Sequence, residues 1–285
     1  MKKILLASCV AAISAGVNAE LTPLSEYELH SVTGQAGVDI ELDVGLTIGE
    51  IRYTDVEENG DGDGGSITIS DLFVGGGEGR ASLFGVSNPG NTANINNFLF
   101  KVDVAADGDL IIGGSPISGN GGVGIVDFLI TTGEIAVEGT GPNPNRHVLI
   151  DSMSAYGGAA AFNMTVDSVT NNVNFQIRVG IDDLDIDMTS SFGISIENAK
   201  IYGFEYFERK EANQLGPTDY AAEFYIEMSK DDNGDGVNFD FTQGFGSANI
   251  IDVELPSIVV GDANIGAIAL NNFDFSGMKV NVSGH

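Results

Sequence analysis

Val38-Asp-Ile-Glu-Leu-Asp-Val-Gly-Leu-Thr-Ile48 decides the fold class. Val38, Ile40, Leu42, Val44, Leu46 and Ile48 recur at period two, with Asp39, Glu41, Asp43 and Thr47 between them. Successive side chains of a strand point to opposite faces, so this alternation is the signature of a β-strand with the apolar set on one face. After Gly49 the phase inverts, and Ile51 and Tyr53 become the apolar set. The same inversion separates Val173, Phe175, Ile177 and Val179 from Leu184, Ile186 and Met188, across Asp182-Asp183. A slip of one residue moves every side chain to the other face unless a bulge absorbs it. Both stretches therefore predict long strands carrying a bulge or bend.

A recurring unit extends this reading. Ile67-Thr-Ile69-Ser-Asp71-Leu72-Phe-Val74 leads to Gly76, Ile194-Ser-Ile196-Glu-Asn198-Ala199-Lys-Ile201 to Gly203, and Ile268-Ala-Leu270-Asn-Asn272-Phe273-Asp-Phe275 to Gly277. Each has apolar residues at positions 1, 3, 6 and 8, Asp or Asn at 5 and Gly at 10. The polar residue at 5 falls where the phase slips, where a short hydrogen-bonding side chain bonds local backbone. The units are irregularly spaced, so no fixed-period repeat is established. Clusters of Gly, Asn and Pro predict loops at 57–65, 75–80, 87–94, 113–124, 139–145, 211–218 and 231–236. The expectation is an all-β protein of long bent strands in a sandwich or roll over 38–285. A β-solenoid is the alternative, because the Asn-cornered unit also suits its bends.

Upstream of the strands, residues 20–37 predict a short helix and a Gly-rich turn. Ser25 and Glu28 form a capping box, Leu24 and Leu29 a hydrophobic staple, and Gly34 suits the C′ stop. Residues 1–19 read as a secretory signal: Lys2 and Lys3, an apolar run from Ile4 to Val17, then Val17-Asn-Ala19 as a small-x-small cleavage site. The run is too short and too rich in small residues for a membrane span. Leu6-Ala-Ser-Cys9 has the form of a lipobox, but too few apolar residues precede it. The chain's 1 cysteine is thus removed with the signal, leaving neither disulfide nor thiol nucleophile. The expected location is outside the inner membrane, at the cell surface, in the medium or in the periplasm.

Charge is one-sided. Lys and Arg number 12 against 41 Asp and Glu, a formal net charge of −29. With no basic patch to release counterions, nucleic acid is excluded as a partner, and anionic membranes are disfavoured. Such an excess of carboxylates suits calcium. Asp231-Asp-Asn233-Gly-Asp235-Gly236 fits the opening of a calcium loop, oxygen ligands at alternate positions followed by Gly, with the Val237 carbonyl next. Position 12 is Thr242 rather than Glu, so this is no EF-hand. Asn59, Asp61 and Asp63 form a second candidate. The alternative for both is an acidic hairpin turn that needs no ion. Asp183, Asp185 and Asp187 share one strand face, and their repulsion predicts solvent exposure, with a cation as the alternative.

Catalytic patterns are sparse. His30, His147 and His285 are scattered, without metal-ligand spacing. Ser276-Gly-Met-Lys279 lacks the companions of an S-x-x-K enzyme, and Gly119-Asn-Gly-Gly-Val-Gly124 is followed by strand rather than helix. No enzyme is expected.

Leu24 to Leu29 with Val32-Thr-Gly-Gln-Ala-Gly37, then Val38 to Tyr53, resembles the N-terminus of an exported Gram-negative family of pilus-system proteins of the Fil type, which carry an uncharacterised β-rich domain. The ending Gly277-Met-Lys-Val-Asn-Val-Ser-Gly-His285 is similar to theirs. The resemblance implies a surface or periplasmic role near a fimbrial assembly, with other pilus or cell-surface proteins as partners, and carries over no site residues. The expectation is a non-catalytic structural or adhesion protein. A secreted carbohydrate-active enzyme and an outer-membrane barrel are the alternatives. Trp, which would stack on sugars or form interfacial girdles, is 0.

Overall fold

A computed structural model describes residues 37–55, 64–80, 82–87, 92–117, 124–139, 145–216, 219–231, 236–241 and 248–283. The expected signal and short helix lie outside them. The strands, in chain order, begin with β1 (Val38–Val44), β2 (Leu46–Thr54), β3 (Gly65–Gly75), β4 (Ser82–Leu83), β5 (Val86–Ser87), β6 (Ile95–Val104) and β7 (Leu110–Pro116). Then come β8 (Val126–Thr132), β9 (Ile135–Gly139), β10 (Arg146–Ile150), β11 (Ser152–Val166) and β12 (Val173–Met188). Helix α1 (Thr189–Phe192), β13 (Ile194–Tyr202), α2 (Tyr206–Glu211), β14 (Ala222–Lys230) and β15 (Gly236–Asp240) follow. The last are β16 (Ile250–Val260), β17 (Ala263–Asp274) and β18 (Lys279–Ser283).

All but β4 and β5 join one 16-stranded sheet. Its spine is the hairpin β11–β12, 15 and 16 residues long, paired from Ser152↔Asp187 to Val166↔Val173. Each spine strand outruns its outer neighbours. β11 pairs β8 over Met153–Ala159 and β7 over Phe162–Val166. β12 pairs β14 over Val173–Val179 and β13 over Ile181–Met188. The sheet therefore divides into two leaves that share the spine.

The first leaf runs β2-β3-β8-β11-β12-β13-β16-β17. The second runs β1-β6-β7-β11-β12-β14-β15-β18. In both, spatial order follows chain order and every pair is antiparallel. β9 and β10 extend the outer end of β3. The fold is all-β with long bent strands, as the alternation predicts. The solenoid alternative is corrected: its coils stack strands in parallel, whereas these ladders are antiparallel throughout. What a sandwich would divide between two sheets is here one hydrogen-bonded network.

The phase slips have a backbone cause. Asp71, Asn198 and Asn272, the fifth residues of the three units, all take left-handed φ, at 49°, 57° and 51°. Asn and Asp tolerate that conformation better than other side-chain-bearing residues. The ladder slips in register beside Asn198 and beside Asn272. At Asp71, β3 exchanges β9 for β8 as its neighbour. An acidic side chain on the adjacent strand receives the displaced amide in two cases: Asn198 N–H donates to Asp185 Oδ1 at 2.8 Å, and Asn272 N–H to Asp252 Oδ1 at 2.6 Å. Asn198→Gly is therefore expected to leave stability within about 0.5 kcal/mol, while Asn198→Val costs roughly 1–2 kcal/mol through left-handed strain. Urea midpoints of the two variants check this; equal losses would mean that the side chain, not the backbone, matters.

The core sits where the leaves part. Leu83, Phe84, Tyr156, Tyr202 and Tyr206 form one buried cluster, flanked by Tyr220, Phe207 and Leu129. The Tyr202 and Tyr206 rings stack at 3.7 Å, and Phe84 stacks on Tyr220 at 5.1 Å. The β4–β5 turn lies so close to the spine that a Cβ on Gly158 would approach Leu83 Cδ2 to 2.9 Å. In the second leaf, Phe98, Phe100, Phe162 and Phe175 form an aromatic row at centroid spacings of 5.0, 5.5 and 5.1 Å. This row corrects the loop expected from residue 113, since β7 continues to Pro116. Gly114 pairs Phe100 and Phe162 in the ladder, and a Cβ there would meet the Phe98 ring at 2.5 Å.

Candidate functional site

Of the expected calcium ligands, Asp231 and Val237 are described; Asn233, Asp235, Asn59, Asp61 and Asp63 lie outside the described residues. Asp231 N–H donates to Gly236 O at 3.0 Å, closing the β14–β15 hairpin. Val237 is a β15 residue, registered between Lys230 and Val282. Asp231 and Val237 therefore stand at the two ends of one turn. Among the described residues, no three His, Cys, Asp or Glu side chains gather as a metal site. His147 lies exposed on β10, and His30 and His285 fall outside the described residues. Ser276 and Lys279 face different partners: Ser276 Oγ donates to Asp274 Oδ1 at 2.6 Å, and Lys279 Nζ pairs with Asp240 at 2.6 Å.

The aspartates of β12 are anchors. Asp182 Oδ2 accepts Phe84 N–H at 2.8 Å, and its Oδ1 faces Lys200 Nζ at 3.1 Å. Asp183 pairs with Arg80 at 2.7 Å, Asp185 holds the Asn198 bulge, and Asp187 accepts Thr189 N–H at 2.9 Å. The solvent exposure expected for Asp183, Asp185 and Asp187 is therefore corrected: all three are half-buried and engaged. Paired cations and donated amides offset their mutual repulsion. Arg80 also lies 5.1 Å over the Tyr156 ring. Arg80, Tyr156, Asp182, Asp183, Asn198 and Lys200 line a polar cleft of about 190 Å³. Its two cations face two carboxylates, so the cleft is a charge-balanced clasp that holds the β4–β5 turn onto the spine.

The clasp rests on the tyrosine core, whose buried hydroxyls predict sensitivity to alkali. Burial pushes the Tyr202 hydroxyl above the ordinary phenol range, with Tyr206 adding to it, and burial also raises Tyr206. Unfolded tyrosine ionises near pH 10. The neutral folded form is thus fully favoured below about pH 10, and stability is lost as pH rises above it. The urea midpoint is expected to fall between pH 8 and pH 11, with the buried tyrosinate absorbance appearing only on unfolding. A midpoint that does not move would sink the assignment.

The least protected features are the two sheet edges. β1 and β2, interrupted only at Gly45, border the second and first leaf in turn; β17 and β18 do the same at the opposite side. Among the described residues β1 pairs only β6, β2 only β3, β17 only β16 and β18 only β15, while β10, paired only to β9, ends a shorter side branch. Large apolar side chains stand in solvent on both: Val38 at 58%, Tyr53 at 65%, Ile265 at 64% and Val282 at 58% exposure. Native edges are normally blunted by charge, Pro or bulges. β17 is bulged at Asn272 and again around Gly266, where the register with β16 slips twice more, but Ala263 to Phe273 contains no charged residue and no Pro. Sequence reasoning missed this, because alternation reports a strand and its two faces but not whether a neighbour lies beside it.

Residues 1–106 match the model of a family of unknown function, DUF6160. No curated protein and no solved structure matches the chain.

Proposed function

We propose that this chain is an exported, non-catalytic structural or adhesion protein of the cell envelope, associated with a pilus or fimbrial system. The observation that carries the reading is β17, a 12-residue edge strand exposed along nearly its whole length. An open edge offers unpaired main-chain donors and acceptors, the means by which sheets take up a further strand from a partner. The partner is another pilus or cell-surface protein. Resemblance at Leu24–Tyr53 and Gly277–His285 to pilus-system proteins supports the setting. Calcium at the 231–237 turn and at Asn59, Asp61 and Asp63 would stabilise the acidic chain by binding its folded form.

The test is mechanical shearing of cells followed by fractionation, with and without a calcium chelator, probing for the chain. Co-release with sheared filaments is the expected result, and a chelator-dependent yield would implicate the acidic turns. A chain found wholly soluble in the periplasm overturns the reading.

A further inference from the structure

The two edges fit each other, but not within one chain. We propose that the β17–β18 edge of one copy adds to the β1–β2 edge of a second copy, continuing both leaves at once. This rests on the reading of the edges as the interaction surface and names the partner.

Direction is the first argument. The edge β1–β2 passes from the second leaf into the first, and β17–β18 passes from the first into the second. Each leaf holds an even number of strands, so its first and last strands run oppositely. A second copy in the same orientation therefore brings β2 antiparallel to β17 and β1 antiparallel to β18. Antiparallel pairing is the arrangement used at every other step of both leaves. An odd count would have forced a parallel join.

Segment length is the second argument. The 9 residues of β2 face the 12 of β17, and the 7 of β1 face the 5 of β18. Each edge is broken between its two strands, at Gly45 on one and over 275–278 on the other, so a strand-for-strand match is available. Charge is the third. Two chains of net charge −29 repel, and β17, uncharged from Ala263 to Phe273 and set against a β2 whose Glu50 and Arg52 pair with each other, is where they approach at least cost. The one charged residue of β18, Lys279, is paired with Asp240 but largely exposed, and it enters near the Asp43 end of β1, where Glu41 also lies. Because the two joined surfaces differ, the contact is heterologous. It propagates into a filament or ring rather than stopping at a dimer.

The test uses the purified protein and two double variants, each with one Lys in either leaf's edge. Ile265→Lys with Val282→Lys blocks the C-terminal edge, and Ile40→Lys with Tyr53→Lys blocks the N-terminal one. All four side chains are at least 44% exposed, and thermal unfolding of each variant checks that the fold survives. Sedimentation of the unaltered protein should show species growing with concentration, and more so at higher salt as repulsion is screened. Each variant alone should sediment as a monomer, and an equimolar mixture should stop at a 1:1 dimer. An N-edge variant that dimerises alone would mean β17 pairs with itself, which overturns the proposal. So would an unaltered protein that stays monomeric throughout. In that case filament-sheared release would still support the envelope role with a different partner. Assembly in solution of a chain that cells keep in the periplasm would fail the envelope reading alone.

Discussion

Asp252→Ala is expected to cost about 3 kcal/mol, because leaving a buried donor unpaired costs roughly 1–3 kcal/mol and this carboxylate serves two. Asp252 is fully buried in β16. Its Oδ1 accepts Asn272 N–H at 2.6 Å and its Oδ2 accepts Phe207 N–H at 3.0 Å. The first bond holds the β17 bulge and the second starts α2, whose Tyr206 stacks in the core. Asn272 Oδ1 accepts Glu205 N–H at 3.2 Å, so the same residue ties bulge to helix again. Asp252→Asn keeps one acceptor and should lose about half as much, since its amide nitrogen opposes a second N–H donor. Denaturant unfolding of the two variants measures this; a loss under about 0.5 kcal/mol for Ala would refute the anchoring role.

Gly180→Ala should be comparably damaging for an opposite reason, excess rather than loss. Gly180 lies on β12 where the leaves divide, and a Cβ there would come within 2.2 Å of Tyr220 O and 2.6 Å of Phe84 Cζ. The ring can turn, but the carbonyl belongs to the backbone entering β14. Overpacking at such a site costs roughly 1–3 kcal/mol. Gly113→Ala is the matched control, a strand glycine whose Cβ would meet nothing within 4 Å. It is expected to be neutral or slightly stabilising by narrowing the unfolded ensemble. If the two substitutions have equal effects in urea, close approach at the branch is not what Gly180 provides.

Much of the local geometry is legible in the residues. Alternation from Val38 to Ile48 marks strand, and the phase slips at Asp71, Asn198 and Asn272 locate left-handed backbone to the residue. Both signals are local, because side-chain facing is written into neighbours two apart. The two leaves are not legible. Nothing in the β12 residues states that Phe175 will meet Ile226 while Ile186 meets Ile196. Pairing depends on what the rest of the chain leaves free. Asp183, Asp185 and Asp187 misled for a related reason: charge suggests water, whereas the partners are amides and a cation, that of Asp187 two residues away but that of Asp183 far off in sequence. Asp252 had a readable signal, a lone carboxylate in the apolar run Ile250 to Val253, which must be satisfied if it is buried. Of the expected calcium ligands, only the bases of one turn, Asp231 and Val237, are positioned, so the candidate site passes to the edges, which residue patterns do not mark.

The interleaving of the leaves has a genetic consequence. Chain segments alternate between them, β1 to one, β2 and β3 to the other, β6 and β7 back again. No contiguous stretch of the coding sequence specifies either leaf. A crossover near the middle of the gene therefore severs both together, and no single cut transfers one leaf without part of the other.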